Sequence, residues 1–465
     1  MTGKRKAHSL LGIYRVRTVL YGVLLTVSCC FTQGAARPNI LFILVDDLGW
    51  HDLACQGNPA VKTPNIDRLA REGMRFTDAY AAAPVCSPTR AAILTGKSPA
   101  ALHLTNHLPD RDGFTPEKAA WLPATCLDHL PAEHQTIAEH LKRAGYVNAF
   151  LGKWHLSGKG KGLPEYEPTS QGFDLNIGGC SYGGPPTFFD PYRIPNLENR
   201  KEGEYLPDRL ADETIRFMKA HRAKPFMIFL WNYSVHWPME APESFLEKYK
   251  GHQGPGLNDF RYGAMIEALD ASYGRIFRAL DDLKLRENTL VIFTSDNGGF
   301  AGVSDNRPLR AAKGHLYEGG IRVPLIVRWP GKIQAGSESR VPVISMDYFP
   351  TILGAAGIAS SDPDLEGENL LPVLTGSGQL KRRSIFFHYP NYAWHRGNRL
   401  GGAIRSGRYK LIERYDNGDL ELFDMKDDWR ERKNLAGEQP ELAQRLRKEL
   451  AAWRERVDAR MPRRR

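Results

Sequence analysis

Four short apolar runs, each closing on polar residues, constrain the fold more than any other feature of this sequence. They are "PNILFILVDD", "NAFLGKWH", "PFMIFLWNYSVHWP" and "TLVIFTSDNGG". Apolar runs of this length without alternation are typical of strands that are buried on both faces of a sheet. Because ligands bind beyond the carboxyl ends of such strands, the polar residues that close the four runs are predicted to be neighbours.

Helix-like stretches separate these runs. The clearest are "NIDRLAREG", "QTIAEHLKRAG" and "RYGAMIEALDASYGRIFRALDDL". Each has apolar residues spaced by three and four, with glycine near a terminus. The alternation of strands and helices predicts an α/β fold with a large, mostly parallel, doubly wound sheet flanked by helices.

The pattern changes after about residue 375. The stretches "SIFFHYP", "GAIRSGRYKLIER" and "LELFDM" read as short strands joined by turns, and a charged helix follows from about Glu438. This pattern predicts a smaller antiparallel sheet packed with a helix. We therefore expect a main α/β domain over residues 37–374 and a C-terminal α+β subdomain over residues 375–465. No low-complexity linker separates them, so the two are expected to dock firmly.

Residues 1–36 have the pattern of a signal peptide. Five basic residues between Lys4 and Arg17 precede the apolar stretch "TVLYGVLLTVSCCF" and the small residues "GAA". We predict cleavage after Ala36 and a periplasmic or secreted protein. The alternative is a retained membrane anchor, although an apolar run of about 14 residues is short for a span. After cleavage, no stable membrane span is expected.

The net charge of the chain limits the classes of partner that we expect. The formal net charge is +10, and loss of the five basic residues in the leader would leave +5. A positive balance favours an anionic substrate or surface. No motif of interleaved basic and aromatic residues accompanies the charge, so we do not expect a nucleic acid partner.

Two of the predicted strands end in oxygen donors. These donors are Asp46, Asp47, Asp296 and Asn297. Three carboxylates and an amide, without thiolates or clustered imidazoles, favour calcium or magnesium over zinc. The alternative is that each pair only caps a turn. Three acids at one edge would repel one another without a cation, which favours a metal site.

Cationic and imidazole side chains are expected at the same edge of the sheet. They are Arg90, Lys153, His155, His236 and Lys313. Together with a metal they would form a pocket for a compact anion such as sulfate or phosphate, and the histidines would exchange protons near neutral pH. Singly, such residues are ordinary surface or core groups, which is how we interpret His315, His388 and His395.

The segment "CSPTRAAILTG" predicts a helix entrance. Ser87 suits the N-cap, Pro88 the first helical position and Gly96 the end of the helix. Cys86 would then lie at the positive end of the helix, where a thiol has a lowered pKa and anions bind. A buried structural cysteine and a plain thiolate nucleophile are the alternatives.

The segment also resembles the C-x-P-x-R signature of the type I, formylglycine-dependent sulfatases of the alkaline phosphatase-like superfamily. Other blocks similar to that family follow in the same order: "NILFILVDDLGWHDL", "TPNIDRLAREGMRFTDAY", "GKWHL", "SDNGG" and "LRAAKGHLYEGGIRVPLIV". The resemblance covers nearly the whole chain after the leader. It implies that a maturation enzyme oxidises Cys86 to Cα-formylglycine, which leaves Cys55, Cys126 and Cys180 for at most one disulfide.

The resemblance also implies roles for the site residues. One Ca²⁺ ion would be held by Asp46, Asp47, Asp296, Asn297 and modified Cys86. The hydrated aldehyde at Cys86 would attack the sulfur, with Asp296 as the base and Arg90 orienting the hydrate. Lys153 and Lys313 would bind the sulfate oxygens.

Two histidines would handle the protons in this scheme. His236, with Lys313 near it, would protonate the departing alcohol or phenol. His155 would then deprotonate the remaining hydroxyl so that the hemiacetal expels sulfate.

The implied activity is hydrolysis of sulfate esters, on a sulfated carbohydrate and on aryl sulfates. Aromatic and basic segments such as "FHYPNYAWHRGNR" and "SYGGPPTFFDPYR" are candidate substrate rims, or else packing segments. One alternative is a phosphate or phosphonate monoester hydrolase of the same superfamily. Another is a non-catalytic protein that binds metal and glycan, which would result if Cys86 stays unmodified.

Overall fold

Fully buried strands form the centre of the protein, as a computed structural model shows. The structure describes residues 37–109, 111–158, 163–252, 254–360, 362–395 and 397–465. The predicted signal peptide and its cleavage site lie outside the described residues. Within these ranges, the strands are β1 Asn39–Val45, β2 Met74–Tyr80, β3 Trp121–Leu122, β4 Val147–Gly152, β5 Leu175–Ile177, β6 Phe226–Trp231, β7 Thr289–Ser295, β8 Arg322–Arg328, β9 Ser337–Ser339, β10 Val343–Ile344, β11 Ser384–Tyr389, β12 Gly401–Ser406, β13 Tyr409–Arg414, β14 Leu420–Asp424 and β15 Arg463–Arg464.

Helices connect most of these strands. In the described ranges they are α1 Pro64–Glu72, α2 Cys86–Thr95, α3 Ile137–Arg143, α4 Leu206–His221, α5 Glu243–Tyr249, α6 Phe260–Asp282, α7 Glu318–Ile321, α8 Tyr348–Ala355, α9 Leu371–Leu374 and α10 Pro440–Arg456. The three helices predicted from "NIDRLAREG", "QTIAEHLKRAG" and "RYGAMIEALDASYGRIFRALDDL" are present as α1, α3 and α6.

The large sheet has the strand order β10-β2-β8-β7-β1-β6-β4-β5, with β9 also paired to β2. The four predicted strands β7, β1, β6 and β4 are adjacent and parallel. Strand β8 runs antiparallel to both β2 and β7. The prediction of a mostly parallel sheet is therefore confirmed, with one antiparallel strand inside it.

Each face of the large sheet has its own core. Leu41, Ile43 and Val45 of β1 contact a cluster that includes residues of α1, α4 and α6. Ile40, Phe42 and Leu44 face the opposite cluster, which includes residues of α2, α3 and α8. Successive side chains of a strand point to opposite faces, so an unbroken apolar run fills both cores. This is the layered arrangement of a doubly wound sheet.

The C-terminal part forms an antiparallel sheet in the order β11-β12-β13-β14. Helix α10 packs on one face of it, where Leu446, Leu450 and Trp453 lie in the same cluster as Ile404 and Leu411. The predicted sheet and helix are confirmed. The boundary predicted at 374/375 stays a prediction, and it falls at the end of α9.

The other face of the small sheet joins the main part of the molecule. Ala403, Ile412 and Phe423 share a core with Tyr80 of β2 and with Val85, which precedes α2. Residues 37–465 accordingly cluster as one compact unit. Among the described residues, no helix has both the length and the apolarity that a membrane span needs.

Candidate active site

The polar residues that close the four central strands lie at one edge of the sheet. Asp46 and Asp47 follow β1, Lys153 follows β4, and Asp296 follows β7. Parallel registers align the ends of these strands, with Val45 paired to Ser295 and Gly152 paired to Trp231. The structure thus brings together residues that are far apart in sequence.

The acidic residues form a compact buried cluster. One ligand atom from each of Asp46, Asp47, Cys86 and Asp296 lies within 4.8 Å of the others. In the described structure, Asp46 Oδ1 and Asn297 Oδ1 are buried and accept no hydrogen bond. Unpartnered buried oxygens are costly unless a cation or donor meets them. This donor set suits a divalent cation that prefers oxygen, such as Ca²⁺.

Burial and neighbouring charges shift the pKa values of Asp46 and Asp47 in opposite directions. Burial raises the pKa of Asp46 to about 8, with Asp296 and Asp47 adding repulsion and Lys153 opposing them. Burial would also raise the pKa of Asp47, but Lys313 and His236 outweigh it and hold that pKa well below its usual value. A bound divalent cation would favour the ionised form of both.

Three cations contact these acids. Arg90 is fully buried and donates to Asp296 Oδ2 from Nε at 3.0 Å and from Nη2 at 2.6 Å. Lys153 Nζ donates to Asp46 Oδ2 at 2.6 Å. Lys313 Nζ donates to Asp47 Oδ1 at 2.6 Å and to Cys86 Sγ at 3.3 Å. Acids and cations alternate across the site, which suits both a metal and an anionic group.

The start of α2 differs from the prediction. The helix begins at Cys86 itself, and its N-cap is Val85 in an extended conformation rather than Ser87. The Ser87 hydroxyl accepts a hydrogen bond from the Leu108 N–H at 3.1 Å, so it does not cap the helix. Pro88 is therefore the third helical residue, where its missing N–H still costs nothing. Gly96 ends the helix at φ 70°, as predicted.

The unmodified Cys86 thiol is not activated, contrary to the expectation of a lowered pKa. Burial raises the pKa of Cys86 to about 12, although Lys153 and Lys313 act in the opposite direction. The side chain is completely buried, and desolvation exceeds the effect of the helix terminus. Such a thiol is protonated at neutral pH, which argues against a plain thiolate nucleophile.

The two predicted histidines lie on either side of the cluster. His236 Nε2 lies 3.8 Å from Asp47 Oδ2, and its Nδ1 contacts the Trp237 carbonyl at 3.0 Å. His155 contacts the Leu108 carbonyl through Nε2, and in the described structure its buried Nδ1 has no hydrogen-bond partner. Burial lowers the pKa of His236 to about 3 and that of His155 well below its usual value. Both imidazoles are therefore neutral at neutral pH before substrate binds.

Two further histidines belong to the site and were missed by sequence reasoning. The His107 ring centroid lies 4.6 Å from that of His155. His395, interpreted from sequence as ordinary, packs against Gly314, beside Lys313. Burial, with a contribution from Lys313, lowers the pKa of His395 to about 3. No local motif marks either residue, because loops far from the four strands deliver them.

Other missed features lie at the mouth of the site. A Cβ atom on Gly183 would come within 2.9 Å of the His155 ring, and one on Gly184 within 2.8 Å of His236 Nδ1. The paired glycines in "SYGGPP" were the available signal for this close approach. Trp237 and Trp394 are 43% and 44% exposed, and Trp394 lies edge-on to His107 with centroids 4.7 Å apart.

His388 lies in the C-terminal core, as an ordinary residue would, between Tyr415 and the Arg460 carbonyl.

The carboxylates, cations and imidazoles lie together at the carboxyl edge of a doubly wound sheet. This arrangement defines the class of protein as a hydrolase for esters of a compact oxyanion. The family model named Sulfatase matches residues 38–358, and the chain belongs to the sulfatase family. It is therefore a sulfuric ester hydrolase. The model for the N-sulphoglucosamine sulphohydrolase C-terminal region matches residues 311–456.

Named relatives agree with this membership. The chain is 37% identical over 406 residues to N-acetylgalactosamine-6-sulfatase of Canis lupus familiaris, an alignment that covers 80% of this chain and 71% of that protein. It is 34% identical over 419 residues to arylsulfatase A of Homo sapiens, with coverage of 81% and 75%. A crystal structure of Ps i-CgsB in complex with k-i-k-neocarrahexaose is similar, with a TM-score of 0.77 and 28% identity over 90% of this chain and 93% of that chain.

Proposed function

We propose that this enzyme hydrolyses sulfate esters of a carbohydrate, and also aryl sulfates, using Cα-formylglycine at Cys86 and one calcium ion. The observation that carries the proposal is the position of Cys86: it lies inside the carboxylate and lysine cluster, and its unmodified thiol has a pKa of about 12. A buried, protonated thiol is a poor nucleophile at the one place where a nucleophile is needed. Conversion to an aldehyde resolves this conflict.

Asp46, Asp47, Asp296 and Asn297 would hold the calcium ion, together with modified Cys86. Asp46 Oδ1, which lies 3.7 Å from Arg90 Nη2, and Asn297 Oδ1 accept no hydrogen bond in the described structure, which supports this assignment. When bound, calcium supplies positive charge that polarises a sulfate oxygen. Modified Cys86 would supply one hydroxyl as the nucleophile and a second hydroxyl whose deprotonation allows sulfate to be released.

Lys153 and Lys313 would bind the remaining sulfate oxygens. Each ammonium group now contacts an aspartate that also belongs to the proposed metal site. Their two positive charges stabilise the negative charge that builds up on the sulfate oxygens as the ester bond breaks. Arg90 holds Asp296 Oδ2 through two hydrogen bonds, which orients that carboxylate as the base for the nucleophile.

His236 and His155 would each carry out one of the two proton transfers. The side chain of His236 is 18% exposed, so it faces the side from which an alcohol or phenol departs. A bound sulfate ester brings negative charge beside it, which raises its pKa and favours proton donation to the leaving oxygen. His155 is fully buried with an unpartnered Nδ1, and it would accept the proton of the second hydroxyl.

A carbohydrate substrate is supported by the mouth of the site. Trp237 and Trp394, which are 43% and 44% exposed, present aromatic surface to solvent next to His236 and His107. Aromatic faces pack against the apolar faces of sugar rings while the rim remains hydrated. The similarity to N-acetylgalactosamine-6-sulfatase and to the structure with bound k-i-k-neocarrahexaose points to the same substrate class.

Export is part of the proposal, because residues 1–36 have the sequence of a signal peptide. A formylglycine-generating enzyme is then a partner during biosynthesis. In the folded protein, Cys86 is completely buried, so we expect oxidation to precede folding of this segment.

Matched esters test the reaction class. The purified, matured enzyme is assayed with an aryl sulfate and with the aryl phosphate that has the same leaving group. We expect the sulfate to have the higher kcat/KM. A preference for phosphate would support a phosphomonoesterase instead, and no turnover of either ester by fully converted protein would support a non-catalytic binding protein.

A further inference from the structure

A large groove lies between the main sheet and the C-terminal sheet, apart from the residues assigned to catalysis. Its volume is about 1080 Å³, slightly above the range for small-ligand pockets, which is roughly 300 to 1,000 Å³. One wall comes from β2, the start of β8 and Trp50. The opposite wall comes from β11, the β12–β13 turn and α10. We call it the arginine groove.

Its lining is strongly cationic. Nine of the lining residues are Arg or Lys, and Asp78 is the acidic one among them. Six of the nine cations have acidic partners, as Arg322 does with Asp78 at 3.2 Å. The other three, Arg383, Lys426 and Arg445, are exposed and have no ion-pair partner among the described residues. The groove therefore keeps an excess of positive charge that a ligand can use.

The aromatic side chains of the groove are already occupied. The Arg322 guanidinium lies 5.0 Å from the Trp50 ring and 5.5 Å from the Trp429 ring. The two indoles lie 5.9 Å apart, and Trp50 also stacks on His51. Single-stranded nucleic acids bind by stacking bases on open aromatic faces, which this groove does not offer. Its concave shape likewise does not suit a flat membrane surface.

The arginine groove and the active site share one loop. Trp50 follows the acidic pair Asp46 and Asp47 by a few residues, and Tyr80, the residue of β2 paired with Arg322, leads toward Cys86. The groove lining also includes Arg75 near the start of β2, so the groove runs along this strand. The groove is thus connected to the active site through the segment from Asp46 to Trp50.

We infer that the arginine groove binds a sulfated polysaccharide chain as a second site, distinct from the one that cleaves the ester. The choice of sulfated glycan over other polyanions rests on the proposed function. Arginine forks suit the sulfate groups of such a chain, and several contacts along one chain add their binding free energies. The groove would keep a polymer on the enzyme while the active site acts on its sulfate esters.

The test compares two triple variants of the full-length matured enzyme. The groove variant is Arg383→Gln, Lys426→Gln and Arg445→Gln. The control variant is Lys219→Gln, Arg222→Gln and Lys224→Gln, which removes the same charge from exposed positions between the end of α4 and the start of β6, outside the groove lining. Binding is measured with heparin as the sulfated probe, with dextran as a neutral polymer and with a single-stranded DNA oligomer of matched charge.

We expect the groove variant to bind heparin about tenfold more weakly or worse, and the control to change by less than about twofold. Both should keep the wild-type kcat/KM on a small aryl sulfate. Cys86→Ala should lose turnover and keep heparin binding, which separates failure of the groove from failure of the proposed reaction. Equal losses in the two triple variants would overturn the inference, and so would tighter binding of DNA than of heparin by the wild type.

Discussion

Lys313 Nζ donates a hydrogen bond to Cys86 Sγ at 3.3 Å. The contact joins two segments more than two hundred residues apart in sequence, and it places a cation beside the atom at which we propose the nucleophile forms. Burial lowers the pKa of Lys313, but Asp47 and the neighbouring groups outweigh it, so the pKa lies above its ordinary value. Lys313 is therefore charged throughout the physiological pH range.

Removing this charge is expected to disable the reaction. We predict that Lys313→Met lowers kcat on an aryl sulfate by roughly 10²–10³-fold, because a preorganised charge next to the sulfate oxygens is lost. Steady-state kinetics measure the effect, and Lys332→Met, at an exposed position, is the control. Wild-type kcat in the Lys313 variant would refute its assigned role.

His236 as the proton donor predicts a dependence on the leaving group. His236→Ala should slow turnover by roughly 10²–10⁴-fold for esters of poorly acidic alcohols. The loss should shrink for aryl sulfates of acidic phenols, which depart without a proton. A series of substituted aryl sulfates measures the slope, with His252→Ala as a control at an exposed site. The same loss for every leaving group would contradict general acid catalysis by His236.

Calcium removal should have a readout that does not depend on turnover. We expect the chelated protein to unfold at a lower temperature than the calcium-loaded protein, because a ligand that binds only the folded state stabilises it. Asn297→Ala should weaken this calcium-dependent shift, since Asn297 Oδ1 is one of the unpartnered oxygens. Thermal denaturation across a calcium titration measures both. If calcium leaves the unfolding temperature of the wild type unchanged, the proposed site is wrong.

Trp394 offers a test of carbohydrate recognition. Trp394→Ala should raise KM for a sulfated oligosaccharide by roughly five- to tenfold, from a loss of about 1 kcal/mol of ring contact, and leave an aryl sulfate nearly unaffected. Leu163→Ala, at a similarly exposed apolar residue, is the control. Equal effects of Trp394→Ala on both substrates would argue that the ring only supports His107.

The lowered pKa of His388 makes the free energy of unfolding depend on pH. Burial lowers its pKa to about 4 from the usual 6.5, although the Arg460 carbonyl opposes the shift. As the pH falls from about 6.5 to about 4, the unfolded chain takes up a proton that the folded chain does not, so the free energy of unfolding decreases. The loss is at most about 3 kcal/mol. Urea unfolding should show that the free energy of unfolding decreases less on acidification for His388→Gln than for wild type or for His252→Gln.

Much of the architecture could be predicted from the sequence because strong local signals coincide with it. The apolar runs that became β1, β4, β6 and β7 are buried on both faces, so their composition reports their position directly. The polar residues that end them are neighbours because parallel strands end together. The antiparallel course of β8 carries no such signal, since a buried apolar strand reads the same in either direction.

The features that the sequence did not predict also have physical causes. The Ser87 side chain suits an N-cap, but its hydroxyl accepts a hydrogen bond from the Leu108 N–H instead. The helix end favours a lowered pKa for Cys86, but complete burial has the larger effect and raises it. His107 and His395 reach the site through loops whose paths depend on the packing of the C-terminal sheet, which no local pattern encodes.

The proposed mechanism requires that Cys86 is converted to formylglycine. The protein is prepared with different amounts of formylglycine-generating enzyme, and mass spectrometry of the tryptic peptide from Phe76 to Arg90 gives the fraction of aldehyde in each preparation. We expect aryl sulfate turnover per chain to rise in proportion to that fraction and to vanish in Cys86→Ala. Equal turnover in a preparation that contains only the unmodified thiol would contradict it.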